Sequence, residues 1–427
     1  MNLKEIKNEH VFDKYYKTEL PNGLNVYIYP KKGYNSKYVV LGTDYGSINR
    51  KFKKDNEIID IPDGTAHFLE HKLFEDEDGD AFQKYALTGA SANAYTSFDK
   101  TCYLFSCTNN FYESLKILLN FVYSPYFTKE TIEKEQGIIA QEIKMYDDDP
   151  NWMVLFNLLG AMYKNHSVKI NIAGSVESIA TIDKEKLYEC YNAFYNPSNM
   201  SLVIVGDVDQ EEVIKLINEN IKSNEKIDMN VETLFDEEPY EIVKEAVSQE
   251  MEVSLPLFEI GFKEKTKDNG ITVEDIANTS ILLEILSSKT SSMYQRLFES
   301  DLINLSFSSE YFEGPNFSCV IFSGESKDPD KVFEIIKEEI NILREKGIDQ
   351  ETFDIAKKAV YGDAVMSLDG CMDIGNDLID DALSGREYFS HIDSILNANL
   401  QSVLSRFEEQ LDTNNASISK IVPKNQE

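Results

Sequence analysis

Two of the five histidines in this chain stand four positions apart in GTAHFLEHKLF, residues 64–74, with a glutamate directly before the second. On a helix, residues i and i+4 share a face about one turn apart, so His67 and His71 can aim their imidazoles at one ion. Zinc accepts such nitrogens at about 2.0–2.1 Å, and a catalytic zinc site keeps one position open. Glu70 lies three residues after His67, near that face but offset from it. It is placed to take a proton from water rather than to bind the ion. The metal's part would be to lower the pKa of that water to about 7.

Two histidines leave one protein ligand unaccounted for, and hydrolytic zinc commonly takes a carboxylate as its third. The segment IEKEQGIIAQEIKMYDDDP supplies two candidates, Glu135 and Glu142, seven residues and so two helical turns apart on one face. One would bind the metal while the other holds a ligand imidazole from behind and fixes its tautomer.

H-x-x-E-H is the inverted zinc motif. With it, the chain resembles the pitrilysin, insulysin and mitochondrial processing peptidase family of zinc endopeptidases, and most of all its smaller two-domain bacterial members. HFLEH carries the motif, EKEQGIIAQEIKMY matches the distal acid segment, and GASANAYTSFDKTCY and FYNPSNMSLVIVGDV match two further stretches. The resemblance implies that Glu142 binds the metal, that Glu135 supports a ligand from the second shell, and that Glu70 is the general base. It implies a zinc metalloendopeptidase cleaving peptides or unfolded segments, in leader-peptide processing or peptide turnover. The alternative is a non-catalytic structural subunit of a peptidase-like complex, as some relatives are. All four residues of the constellation are present, which disfavours that.

In such relatives the stretch matching GASANAYTSF is an edge strand to which a substrate peptide adds as a further strand. Main-chain hydrogen bonds hold any extended sequence, and side-chain pockets set preference. Here Ala92 and Ala94 would let the peptide backbone approach, and Asn93 could bond it. Active relatives also bring an arginine and a tyrosine seven residues later to the scissile carbonyl. In the matching run YQRLFESDLINLSFSSEY, Ser300 and Phe307 fall at those places. Neither replaces a guanidinium fork or a phenol donor. Arg296, Tyr294 and Tyr311 are nearby but do not align with the role. The resemblance therefore implies a heterodimer, with this chain as the zinc-bearing subunit and a homologous partner supplying the missing pair.

These residues need a scaffold. LPNGLNVYIYP and YVVLGTDYGS read as strands, residues 65–76 as a helix, and ANAYTSF and TCYLFSC as a hairpin about Asp99-Lys100. Helical patterns follow over 109–123, 128–147, 150–163 and 184–195, then a strand in NMSLVIVGDV and a helix over 209–223. The pattern restarts with strands at 248–263, helices at 273–287 and 291–300, and strands at 304–312 and 316–323. Helices at 328–346, 350–366 and 397–410 and a final strand ASISKIVP complete it. The expectation is an α+β fold of two homologous domains, each a mostly antiparallel sheet with helices packed on it, as in processing peptidases. Residues 1–224 form the zinc-bearing domain. The charged, weakly periodic 225–245 is a linker, and 246–427 is the second domain, which encloses substrate and makes the subunit contact.

The composition sets outer limits. The chain has 427 residues, 42% of them hydrophobic, and a formal net charge of −33. That charge argues against nucleic acid and anionic membrane as partners. Acid lining a cavity would draw basic ligands, whereas acid coating the exterior only aids solubility. Five cysteines, an odd count without C-x-x-C, read as reduced core thiols. The charged N-terminal stretch has no apolar signal region, and no run reaches the ~18 apolar residues of a membrane span. A cytoplasmic protein is the expectation.

Overall fold

The computed structural model describes residues 3–77, 79–221, 226, 230–267 and 270–424. Residues 225 and 227–229 of the expected linker lie outside the described residues. The strands, in chain order, are β1 (Lys4–Asn8), β2 (Asp13–Glu19), β3 (Asn25–Pro30), β4 (Lys37–Thr43), β5 (Lys51–Lys54), β6 (Glu57–Asp60), β7 (Glu75–Asp76), β8 (Gly79–Asp80), β9 (Ser91–Thr96), β10 (Thr101–Cys107), β11 (Met200–Gly206), β12 (Val231–Thr233), β13 (Ala246–Met251), β14 (Leu257–Lys263), β15 (Ser308–Gly314), β16 (Phe317–Glu325) and β17 (Ala416–Pro423).

The chain forms two compact units. In the first, a seven-stranded sheet runs β1-β2-β3-β11-β4-β10-β9; in the second, a five-stranded sheet runs β13-β17-β14-β16-β15. The first sheet's β3-β11-β4-β10-β9 and the second sheet have one topology. In each, the first and last strands in sequence pair in parallel and the remaining pairings are antiparallel. The α+β duplication legible as a faint sequence repeat is therefore a duplication of strand order and direction. Apolar alternation explains the inner strands: Phe258, Ile260 and Phe262 of β14 point into one core with Val320 and Phe322 of β16 and Ile418 of β17.

The units are not two contiguous halves of the chain. Residues 144–170 belong to the second unit and residues 365–389 to the first. Each stretch lays a helix on a sheet at a glycine. On β4, a Cβ at Gly42 would stand 2.9 Å from Leu383 and 3.0 Å from Ile379 of the helix Cys371–Leu383. On β14, a Cβ at Gly261 would collide with Met162 of the helix Pro150–Met162. Only a glycine admits so close a helix. The helix Cys371–Leu383, CMDIGNDLIDDAL, has no counterpart in the sequence expectation because its acids mask a short apolar stripe. Ile374, Leu378 and Ile379 are buried while Asp373, Asp377 and Asp380 are exposed beside Met372.

The expected linker is partly structured. β12 pairs with β5 in the first unit, and residues from Phe235 on join the second. There Glu238 accepts backbone N–H bonds from Lys164, Asn165 and His166 and pairs with Lys263 at 2.7 Å, both side chains nearly inaccessible. An acidic stretch that reads as solvated is here anchored by specific pairing. The β1–β2 hairpin is likewise absent from the sequence expectation. Its charged strands are recruited by pairing with β3. No helix among the described residues is long and apolar enough to cross a membrane. All five cysteines are buried and free.

Candidate metal centre

The site lies in the first unit, where two helices meet beside an edge strand. The first helix, Thr65–Leu73, starts at Gly64, whose φ of 85° is in the left-handed region. A Cβ there would run into the carbonyl of Ala173, so the glycine lets the helix start against the turn at 171–174. Most of this helix is buried, which is why its histidines sit in a packed wall rather than on a free surface. The second helix, Lys129–Asp147, buries Ile132, Glu135, Ile139 and Ile143. That spacing of three and four is one helical stripe, so Glu135 is carried inward by its apolar neighbours, with Glu142 beside Ile143 at the stripe's edge.

Three donors converge. His67 Nε2 stands 3.6 Å from one oxygen of Glu142, and His71 Nε2 stands 3.4 Å from the other. The ligand atoms of His67, His71 and Glu142 all lie within 4.8 Å of one another. Tetrahedral zinc with bonds of ~2.1 Å needs donors ~3.4 Å apart, so this donor set and its spacing fit the ion. Behind it, Glu135 lies 2.9 Å from His71 Nδ1. With that carboxylate accepting from Nδ1–H, the Nε2 lone pair is left facing the cluster. His67 has no such orienting carboxylate; its Nδ1 is buried without a hydrogen-bond partner among the described residues, and packing holds its ring 4.6 Å from that of His71. The side chains of His71 and Glu142 retain 24% and 20% exposure, so solvent reaches the cluster.

Electrostatics separate the roles. Burial lowers the pKa of His71, but Glu135 and Glu142 outweigh it and push the imidazole up to about 10. Burial raises the pKa of Glu70, opposed by His67, His71 and a hydrogen bond from Thr96. Thr96 Oγ1 donates to Glu70 Oε2 at 2.9 Å, which engages one carboxylate oxygen. Thr96 was not singled out in the sequence, although strand alternation places it with Ala92 and Ala94 on one face of β9. That strand is the sheet's edge, paired with β10 on one side only. Asn93 is exposed, and its Oδ1 accepts from the Ala94 N–H at 2.9 Å.

Among the described residues, the second unit has no equivalent cluster of donors. The helix between β14 and β15 at the corresponding place, Val273–Ser287, contains no histidine. Ser300 closes the helix Ser292–Glu299, and Phe307 is buried in that unit's core. Arg296 pairs with Glu338 and Glu339, and Tyr294 is buried and stacks on Phe298. Tyr311 donates to Glu264 and accepts from Arg406.

Residues 58–176 match the family model of insulinase (peptidase family M16), and residues 181–360 match that of the peptidase M16 inactive domain. Over 99% of its length the chain is 38% identical to the uncharacterized zinc protease YmfH of Bacillus subtilis (strain 168), all of which is covered. The crystal structure of an M16-like peptidase from Alicyclobacillus acidocaldarius matches 99% of this chain and all of its own, with 36% identity and a TM-score of 0.92. A protease from Helicobacter pylori, 20% identical, shares the fold with a TM-score of 0.81 over 96% of this chain and all of its own. Fold and relatives define a class, proteins of two α+β units among whose relatives several are named zinc proteases. The chain belongs to peptidase family M16.

Proposed function

We propose that this chain is the zinc-bearing subunit of an endopeptidase that cleaves peptides or unfolded segments. The observation that carries the reading is the convergence of His67, His71 and Glu142, with Glu135 orienting His71 from behind. Zinc held there supplies Lewis acidity, lowering the pKa of water to about 7 and polarising the scissile carbonyl. Glu70, one oxygen fixed by Thr96, takes the proton from the attacking water with the other and passes it to the leaving amine. The C–O bond forms first, and the C–N bond breaks once the amine nitrogen has taken that proton. The open edge of β9 receives the peptide as an added strand, over the small side chains of Ala92 and Ala94 and beside Asn93. The setting is cytoplasmic, in leader-peptide removal or peptide turnover.

A homologous partner completes the site. In sequence, Ser300 and Phe307 fall at the positions of the arginine and tyrosine of active relatives, and the nearby Arg296 and Tyr311 are engaged elsewhere. Loss of one oxyanion donor costs about 100- to 1000-fold in turnover. The same gap is what favours the rival reading, a structural subunit. The deciding experiment measures zinc content and peptide hydrolysis for the purified chain alone and with its co-purified partner. One zinc per chain, lost in His71→Ala, with hydrolysis that needs the partner and is abolished by Glu70→Gln, is expected. A folded, metal-free chain supports the structural subunit, and full turnover without a partner removes the heterodimer.

A further inference from the structure

The paired histidines and the carboxylate ligand sit on different helices, and neither helix by itself sets the distance between them. Glu135 gives one attachment by holding His71. The neighbouring residue gives another. Lys134 Nζ reaches Glu75 Oε1 at 3.1 Å, and Glu75 Oε2 accepts from Lys72, the residue after His71. Successive residues of a helix point about 100° apart, so Glu135 reaches the histidine helix directly and Lys134 reaches it from another direction through Glu75 and Lys72. The carboxylate helix is already seated by the buried Ile132, Ile139 and Ile143 and by Gln136, which donates to the carbonyls of Ile179 and Ile182, and the Lys134 tie adds a second polar link towards the histidines. Glu142, two turns from Glu135, is carried with them.

Lys72 sharpens the argument. Its side chain is 0% exposed, against 64% for Lys134 and 25% for Glu75. A buried ammonium is a poor way to stabilise a fold, since a well-packed apolar side chain of similar volume serves as well or better. Its presence one residue from a ligand needs another reason, and the structure offers one: it anchors Glu75 where Lys134 can find it.

We propose that Glu75, held between Lys72 and Lys134, is a positioning residue that sets the carboxylate helix in register with the paired histidines and so pre-organises the metal cage. This rests on the zinc reading of the site. The test uses the full-length, metal-free chain titrated with zinc against a chromophoric chelator, with the melting temperature of the metal-free chain measured alongside. Glu75→Gln weakens zinc binding about tenfold, the size expected of an outer-shell contact. Lys134→Met, which removes one exposed ion pair, weakens it about threefold, and Lys134→Arg restores it. Lys72→Met weakens zinc about tenfold while leaving the metal-free melting temperature unchanged or raised. A merely structural role cannot produce that opposite movement. Zinc affinities of the variants equal to that of the parent overturn the inference and leave the zinc site standing. Losses of affinity that follow losses of metal-free stability in every variant overturn it too. A parent chain that takes up no zinc overturns the metal reading and this inference together.

Discussion

At the scale of residues, the proposed metal centre is a contest for the lone pair of His71. In the metal-free chain its neighbours push the imidazole up to about 10, so it is protonated at neutral pH. Zinc binds the neutral ring and must displace that proton. Zinc affinity should therefore climb about tenfold per pH unit towards pH 10, with close to one proton released per zinc at neutral pH. Competition titrations at several pH values check the slope, and calorimetry in buffers of different ionisation enthalpy checks the proton. The sign for stability is opposite. A folded-state pKa above the ordinary 6.5 means that protonated His71 stabilises the metal-free fold fully below about 6.5, and that the contribution is lost as pH rises through about 10. The metal-free melting temperature should fall across that window, and less so in His71→Gln.

At the scale of elements, two backbone and strand features carry predictions. Gly64→Ala places a Cβ at a left-handed φ and against the Ala173 carbonyl at the start of the histidine helix. The conformation alone costs about 1–2 kcal/mol. The clash adds to it, and the helix shift should weaken zinc as well. Urea unfolding of the metal-free chain and zinc titration measure both. On β14, Glu259 is held up to about 8 by burial and by Glu310, and its Oε2 is buried without a hydrogen-bond partner among the described residues. A folded-state carboxyl pKa above the ordinary 4.5 means the native state holds a proton that the unfolded chain has released. Stability then falls as pH rises from about 4.5 to about 8. Glu259→Gln should flatten that slope and raise stability at pH 8 relative to pH 5, as read by denaturant midpoints.

At the scale of the whole molecule, the exchanged helices decide what folds alone. The sheet of the first unit is covered at Gly42 by Cys371–Leu383, which buries Ile374, Leu378 and Ile379. Burying each such side chain contributes roughly 1.5–3 kcal/mol, so the helix accounts for several kcal/mol. That is comparable with the entire stability of an ordinary domain, about 5–15 kcal/mol. A fragment of residues 1–224 should be insoluble or weakly folded, and co-expression with residues 225–427 should recover it, as judged by soluble yield and proteolysis. The histidine motif is complete within that fragment, so failure of the fragment to hold zinc would trace to its scaffold.

How much was legible follows from where each property is encoded. The helices at 273–287 and 350–366 stand at their sequence-derived bounds because local periodicity and end signals dictate them. The H-x-x-E-H pair is equally local, and the duplication was legible only as a repeated succession of elements, since its strand pairing joins segments more than a hundred residues apart. The helix Cys371–Leu383, the β1–β2 hairpin and the strand at Val231–Thr233 were not legible, because each is stabilised by a surface supplied from elsewhere in the chain. The candidate site divides the same way. Spacing alone put His67 beside His71 and Glu135 on a face with Glu142. Only tertiary structure brought that second face within 3.6 Å of the first and tied Thr96 to Glu70. Local order is written in residues a turn apart, whereas a metal cage depends on packing between segments some seventy residues apart, which no short-range pattern records.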